Sequence, residues 1–268
     1  MEYIKKALFE EMLSFYSATS IYEPANTARV HGLLGHLVRK AYKSIPDNLD
    51  DKQKIHCLLQ LFYGDWEFHC DDEQYFHSKN LSLVHILDNH QGMPVSLGGV
   101  FLYLADKLNL PIYPVNFPTQ LILRAEVDNE VAFINPWNGE YIAHKELQTW
   151  FEGAMGFGVP MTEEYIGIAN EAELIQRFRQ LAKQTLIREQ LNDEALSYIE
   201  YLSMINPQDI YNIRDRGIVL AQMGCLRSAI EDFNAFIKHY PEEPSAVLLQ
   251  MQLEEMKKDL QNNYHPLH

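Results

Sequence analysis

Three polar residues stand along this chain in the order in which a cysteine–histidine–aspartate centre presents its groups. Ser96 opens a helix, Gln120 leads a strand, and Asn135 ends the next strand, all between Gln91 and Glu140. A nucleophile at a helix N-terminus is favoured by the helix dipole and by free backbone N–H groups. It needs a base beside it and a third group to orient that base. Here each place holds a neutral group. The Ser96 hydroxyl is far less acidic than a thiol, and the Gln120 amide cannot take its proton near neutral pH. Asn135 carries no charge to stabilise an imidazolium. The three can instead form a hydrogen-bonded chain, hydroxyl to amide carbonyl and amide N–H to amide carbonyl. Each also has an ordinary structural role: Ser96 as an N-cap, Gln120 as a strand opener, Asn135-Pro136 as a turn initiator.

Other residues could add chemistry to this array. His85 and His90 lie shortly before Ser96. Either could serve it as a displaced base with Gln120 as oxyanion donor, the arrangement of a serine-dependent hydrolase or acyl-transferase. Arg124 shares the Gln120 strand face and could bind an anion in a cleft or pair with a local carboxylate. Trp66 and Trp137 could wall such a cleft, although aromatic residues pack cores by default. His56-Cys57 and His69-Cys70, followed by Asp71, Asp72 and His77, hold zinc-binding side chains. Their spacing fits no zinc module, and adjacent residues of a helix point about 100° apart. No metal or cofactor is expected.

The elements that must position these groups are readable. The first 65 residues carry apolar residues at helical spacing, among them Ile4, Leu8, Met12 and Phe15, then Val30, Leu34, Leu37 and Ala41. Asp50 and Gln53 form a capping box for a third helix, which Gly64 would cap. A short helix over Leu81 to Asp88 precedes a turn at Gly92 and Pro94. The helix from Ser96 ends before Pro111. Ile112 to Phe117 reads as a strand that Pro114 confines to an edge. Leu121 to Val127 alternates, and Asp128-Asn129 turns into Val131 to Ile134.

Gly153, Gly156, Gly158 and Pro160 mark residues 151–162 as a linker. Everything beyond reads as helix. Ala195/Ala229, Ile199/Phe233, Leu202/Phe236 and Pro207/Pro241 each stand 34 residues apart, with Gly217 and Leu220 where a helix–turn–helix repeat wants a small and a packing residue. The inner face of the repeat's first helix would carry Tyr211, Arg214, Ile218 and Gln222, a surface of the kind that holds extended peptides.

The chain has 268 residues and 47% hydrophobic residues, enough for a sizeable core. Its net charge of −15 is opposite to that of a general nucleic-acid or anionic-membrane binder. The three cysteines form no CxxC pair, the N-terminus lacks a signal-type apolar core, and no apolar run approaches about 20 residues. A cytoplasmic protein with no membrane or nucleic-acid partner is expected.

The runs GMPVSLGGVFLYLADKLNLP, FPTQLILR and FINPWNGE, followed by the 34-residue repeat, resemble the bacterial SirB/YchA family. FYGDWEF (62–68) and IRDRG (213–217) are similar to further segments of it. The resemblance covers nearly the whole chain. It implies an α+β fold, with a transglutaminase-like (papain-like) domain over 1–150, a linker over 151–162, and an all-α tetratricopeptide-like domain over 163–268. Carried over by position, the superfamily's cysteine falls at Ser96, its histidine at Gln120 and its aspartate at Asn135. All three are replaced, so the expectation is a pseudoenzyme that binds a protein or peptide through its repeats and degenerate cleft. The alternative is a hydrolase or acyl-transferase using Ser96.

Overall fold

The computed structural model describes residues 2–19, 27–70 and 75–262. Asp71 and Asp72, part of the zinc expectation, lie outside these residues. The chain begins with helices α1 (Glu2–Thr19), α2 (Thr27–Ser44) and α3 (Asp51–Leu59). The stripe Val30, Leu34, Leu37 and Ala41 of α2 is buried, as its spacing requires. The capping box at α3 is complete: Asp50 Oδ1 accepts from the Gln53 N–H at 2.8 Å, and Gln53 Oε1 accepts from the Asp50 N–H at 3.2 Å. Gly64 does not cap this helix. The chain widens into a π-helical turn over Gln60–Asp65 that includes Gly64, a distortion common near functional sites.

Next come β1 (His69–Cys70), a 3₁₀ turn (Ser78–Leu81), α4 (Leu83–Asn89), β2 (Gln91–Gly92) and α5 (Pro94–Lys107). β1 and β2 pair in parallel, Cys70 opposite Gly92. Helix α5 is apolar nearly all round, and every residue from Pro94 to Leu102 is buried. A helix of that character must lie at the centre of a domain. Two adjacent glycines let neighbours approach closely on both sides. A Cβ on Gly99 would sit 2.5 Å from Met12 Sδ of α1, and one on Gly98 would sit 2.5 Å from Leu121 Cδ2.

Leu121 belongs to an antiparallel sheet of β3 (Ile112–Asn116), β4 (Leu121–Val127), β5 (Glu130–Ile134) and β6 (Tyr141–Ile142), in that order. Pro114 sits on an edge strand, and its carbonyl accepts from the Ala169 N–H at 2.8 Å. Asp128 and Asn129 both take positive φ in the β4–β5 hairpin turn. α6 (His144–Met155) and α7 (Glu163–Ile166) follow, and Ile122, Phe133, Leu147, Phe151 and Ile166 share a second core.

The remaining described elements are α8 (Glu171–Arg188), α9 (Asn192–Ile205), α10 (Ile210–Gln222), α11 (Leu226–His239) and α12 (Pro244–Asn262). The residues that repeat at 34 become equivalent buried positions of α9 and α11: Ala195 and Ala229, Ile199 and Phe233, Leu202 and Phe236. A Cβ on Gly217 of α10 would stand 2.7 Å from the Phe233 ring, which explains the small residue there.

The chain divides into two compact units, Met1–Ser17 with Pro24–Ala182, and Ala18–Glu23 with Lys183–His268. The expected boundaries at 150 and 163 are therefore corrected. Residues 151–162 complete α6 and form a loop inside the first unit, where Phe151 and Met161 join its second core. The glycines mark that loop, and the true division falls within α8, whose continuous helical pattern hides it.

Candidate functional site

Ser96 is the third residue of α5, not its cap. The cap is Met93, whose N–H donates to Ser96 Oγ at 3.1 Å. Pro94 at the first helical position needs no N–H partner, so the helix begins two residues earlier than expected. Ser96 is wholly buried, and its hydroxyl lies 2.5 Å from the Asn80 carbonyl oxygen and 3.1 Å from that of Met93. One hydroxyl proton can satisfy only one of these well, and the Asn80 carbonyl is the nearer. The expected link from Ser96 to Gln120 is absent, because no hydrogen bond joins Ser96 to a side-chain amide. Neither does an imidazole reach it. His90 stacks on Phe68 at 4.4 Å, and His85 Nδ1 faces the Asn89 amide at 3.1 Å.

The other half of the expected chain is present. Gln120 Nε2 donates to Asn135 Oδ1 at 3.1 Å, and the same oxygen accepts from the Trp137 N–H at 3.0 Å. Asn135 opens a tight turn in which the Gly139 N–H donates to the Asn135 carbonyl at 2.8 Å. The π-helical turn clamps this turn. The Tyr63 hydroxyl donates to the Pro136 carbonyl at 3.0 Å, and its ring covers Gly139 so closely that a Cβ there would lie 2.2 Å away.

Helical geometry explains why Ser96 misses the amide pair. The side of α5 that meets Leu121 and Pro136 carries Gly98. At about 100° per residue, Pro94 lies about 40° from Gly98 and Ser96 about 160° from it. The residue of the first turn that shares the Gly98 side is Pro94. Ser96 faces the 3₁₀ turn on the opposite side.

An aromatic and charged surround completes the site. Trp137 stacks on Tyr75 at 5.3 Å between ring centres. Arg177 of α8 donates to Asn116 Oδ1 at 2.7 Å, to the Phe117 carbonyl, and to the Pro118 carbonyl at 3.1 Å, holding the connection that leads into Gln120. Burial lowers the Arg177 pKa from its ordinary value. Burial, and then negative charge on Cys70, push the Tyr75 phenol up to about 12 despite the opposing Arg177, and hold Tyr63 well above its usual value. Arg177, Tyr63 and Cys70 were not singled out at this site from the sequence. Their separation along the chain leaves no local signal, although FYGDWEF contains Tyr63.

The remaining expected cleft residues lie elsewhere. Trp66 is buried in the core. Arg124 pairs with Glu126 at 2.7 Å and donates to the Ile166 carbonyl at 2.9 Å, on the α7 side of the sheet. Among the described residues no group of three or more His, Cys, Asp or Glu side chains could hold a metal ion. Cys57, Cys70 and Cys225 form no disulfide.

In the second unit, Arg214, Ile218 and Gln222 line a groove of about 560 Å³ whose apolar walls include Phe233, Leu249 and Met256. Tyr211 stands beside it, stacked on Tyr240 at 5.4 Å and covered by the Arg214 guanidinium at 5.1 Å. Arg214 is already engaged by Asp215 at 2.7 Å, and Asp215 also pairs with buried Lys183 at 2.6 Å.

Residues 28–180 match the model of the transglutaminase-like superfamily, and residues 182–254 match that of a tetratricopeptide repeat. The chain is 36% identical to the UPF0162 protein YchA of Escherichia coli K12, over 94% of this chain and 93% of that one. The chain belongs to the SirB/YchA family. A UPF0162 protein of Pasteurella multocida is 59% identical over the full length of both chains. Protein SirB1 of Salmonella typhimurium is 37% identical over 85% of each. No solved structure matches. The fold is thus transglutaminase-like followed by tetratricopeptide helices, α+β in class. No described helix is long and apolar enough to cross a membrane.

Proposed function

We propose that this SirB/YchA-family chain is a non-catalytic protein- or peptide-binding module of the cytoplasm. The observation that carries the reading is the Gln120–Asn135 amide pair at 3.1 Å, at the two positions that the family resemblance equates with a base and its orienting carboxylate. Neither amide titrates near neutral pH, so the pair moves no proton and serves to hold a surface in shape. A serine-dependent reaction finds no support in the site: Ser96 is buried, its hydroxyl is given to a backbone carbonyl, and no histidine bonds to it.

Binding is assigned to the groove between α10 and α12. Its apolar walls suit the hydrophobic side of a peptide, and Gln222 and Gln252 at its margin suit backbone groups. Arg214 is not the free carboxylate clamp expected from sequence, because its guanidinium is already engaged by Asp215. The occupant is therefore an amphipathic segment held mainly by apolar contact.

Labelling with a fluorophosphonate probe tests the first half. No label at Ser96 is expected; label that disappears in Ser96→Ala overturns the reading. For the second half, Leu248→Glu places a charge on an exposed side chain of the groove. It is expected to abolish binding of an amphipathic peptide selected on the full chain, while Leu248→Met retains it.

A further inference from the structure

The loop between α6 and α7 presents an aromatic side chain to solvent. Phe157 is 97% exposed, and Met155 and Val159 on either side are 46% and 37% exposed. A lone exposed apolar residue is ordinary in soluble proteins. This one differs because the loop is built. α6 ends with the Gly156 N–H donating to the Glu152 carbonyl at 2.9 Å, and Gly156 and Gly158 supply φ of +117° and +79°, which turn the chain outward on each side of Phe157. The return strand is pinned by one side chain. Gln148 Nε2 donates to the Val159 carbonyl at 2.9 Å, and Gln148 Oε1 accepts from the Met161 N–H at 3.1 Å. Met161, Phe151 and Tyr165 anchor the base in the core. The base of the loop is thus ordered before any binding, which leaves only the tip itself to be ordered when Phe157 is buried.

The charge along this part of the chain is one-sided. From Glu146 to Gln176 there is no Lys or Arg, while Glu146, Glu152, Glu163, Glu164, Glu171 and Glu173 are acidic. Glu163 and Glu164 lie exposed in the first turn of α7, directly after the loop. An anionic bilayer would repel this surface, and so would a second copy of a chain with net charge −15. We propose that residues 155–159 form a preformed docking knob for a protein partner whose apolar pocket is edged by Lys or Arg side chains. Phe157 fills the pocket, and the flanking carboxylates set orientation and encounter rate. This site is separate from the helical groove and stands or falls without it.

The test places p-benzoyl-L-phenylalanine at position 157 of the full chain and irradiates native cells. The expected result is an adduct whose cross-linked segment lines an apolar pocket bordered by basic residues. The purified partner should then bind the full chain, about tenfold or more weakly after Phe157→Ala and within a few-fold of the original after Phe157→Leu. Raising salt from about 50 to about 300 mM should weaken binding further. Because Phe157 makes almost no contact, Phe157→Ala should leave the unfolding midpoint unchanged. No adduct, an adduct only with a second copy, co-sedimentation with phosphatidylglycerol vesicles, or equal affinity of Phe157→Ala would each overturn the proposal.

Discussion

The side-chain amides of Gln120 and Asn135 are joined Nε2 to Oδ1 at 3.1 Å, and the side of α5 that meets the neighbouring Leu121 and Pro136 carries Pro94, not Ser96. This relation yields a constructive prediction. In a Gln120→His, Asn135→Asp background the pair becomes imidazole and carboxylate. A thiol introduced by Pro94→Cys would then lie at a helix N-terminus on the side of a base. Its pKa should fall below the ordinary cysteine value, and it should alkylate about tenfold or more faster near neutral pH. The thiol of Ser96→Cys in the same background should behave as an ordinary buried one. Iodoacetamide rates against pH, measured on both variants, decide it; a faster thiol at 96 would show that the helix face is wrongly assigned.

How much of this was legible depended on range. Strand alternation and the Asp50–Gln53 box are local patterns, the 34-residue repeat recurs at one fixed offset, and each reads directly from sequence. The start of α5 does not, because Ser96 has the residue type of a cap while Pro94 has already opened the helix. That two-residue shift turns Ser96 by about 200°, enough to change which side of the helix it serves. Arg177 reaches Asn116 across 61 positions, and no sequence period reports such a contact. The division at Ala182–Lys183 was hidden because it falls inside an unbroken helix, while the glycines that suggested a linker shape a loop instead.

Tyr63 and Gly139 are matched so tightly that either should resist substitution. Gly139→Ala must place a side chain at φ +76° and against a ring 2.2 Å away. The conformational part costs about 1 kcal/mol and the overlap about 1–3 kcal/mol, for a sum of about 2–4 kcal/mol. Tyr63→Phe loses only the hydrogen bond to the Pro136 carbonyl, worth about 1 kcal/mol. Urea unfolding of the two variants should show that ordering.

Alkaline titration should report on Tyr75. Its folded pKa, about 12, lies above the value of 10.0 expected when unfolded, chiefly through burial and then through charge on Cys70. The neutral phenol is the stabilised form. Its contribution is therefore complete below the unfolded value and is lost as pH rises through the folded one. Tyr75→Phe should flatten the decline in stability between about pH 10 and about pH 12. Cys70→Ser should lower the Tyr75 pKa, read as earlier tyrosinate absorbance; an unmoved titration would remove Cys70 from its surroundings.

Asp215 holds two cations, Lys183 at 2.6 Å and Arg214 at 2.7 Å, and the Lys183 side chain is only 5% exposed. The two cations differ in what they lose without it. Arg214 is more exposed and also lies over the Tyr211 and Phe236 rings. Lys183 keeps only the neutral Asn212 Oδ1 at 2.8 Å. Asp215→Ala should therefore strand a buried ammonium and destabilise the helical unit by about 3–5 kcal/mol. Replacing both partners, Lys183→Met with Asp215→Leu, removes the stranded charge and should recover most of that loss, since well-packed apolar substitutes for buried pairs are often neutral. Denaturant midpoints of the single and double variants test this directly. A double variant no more stable than Asp215→Ala would mean that the carboxylate acts through Arg214 and the groove wall rather than through Lys183.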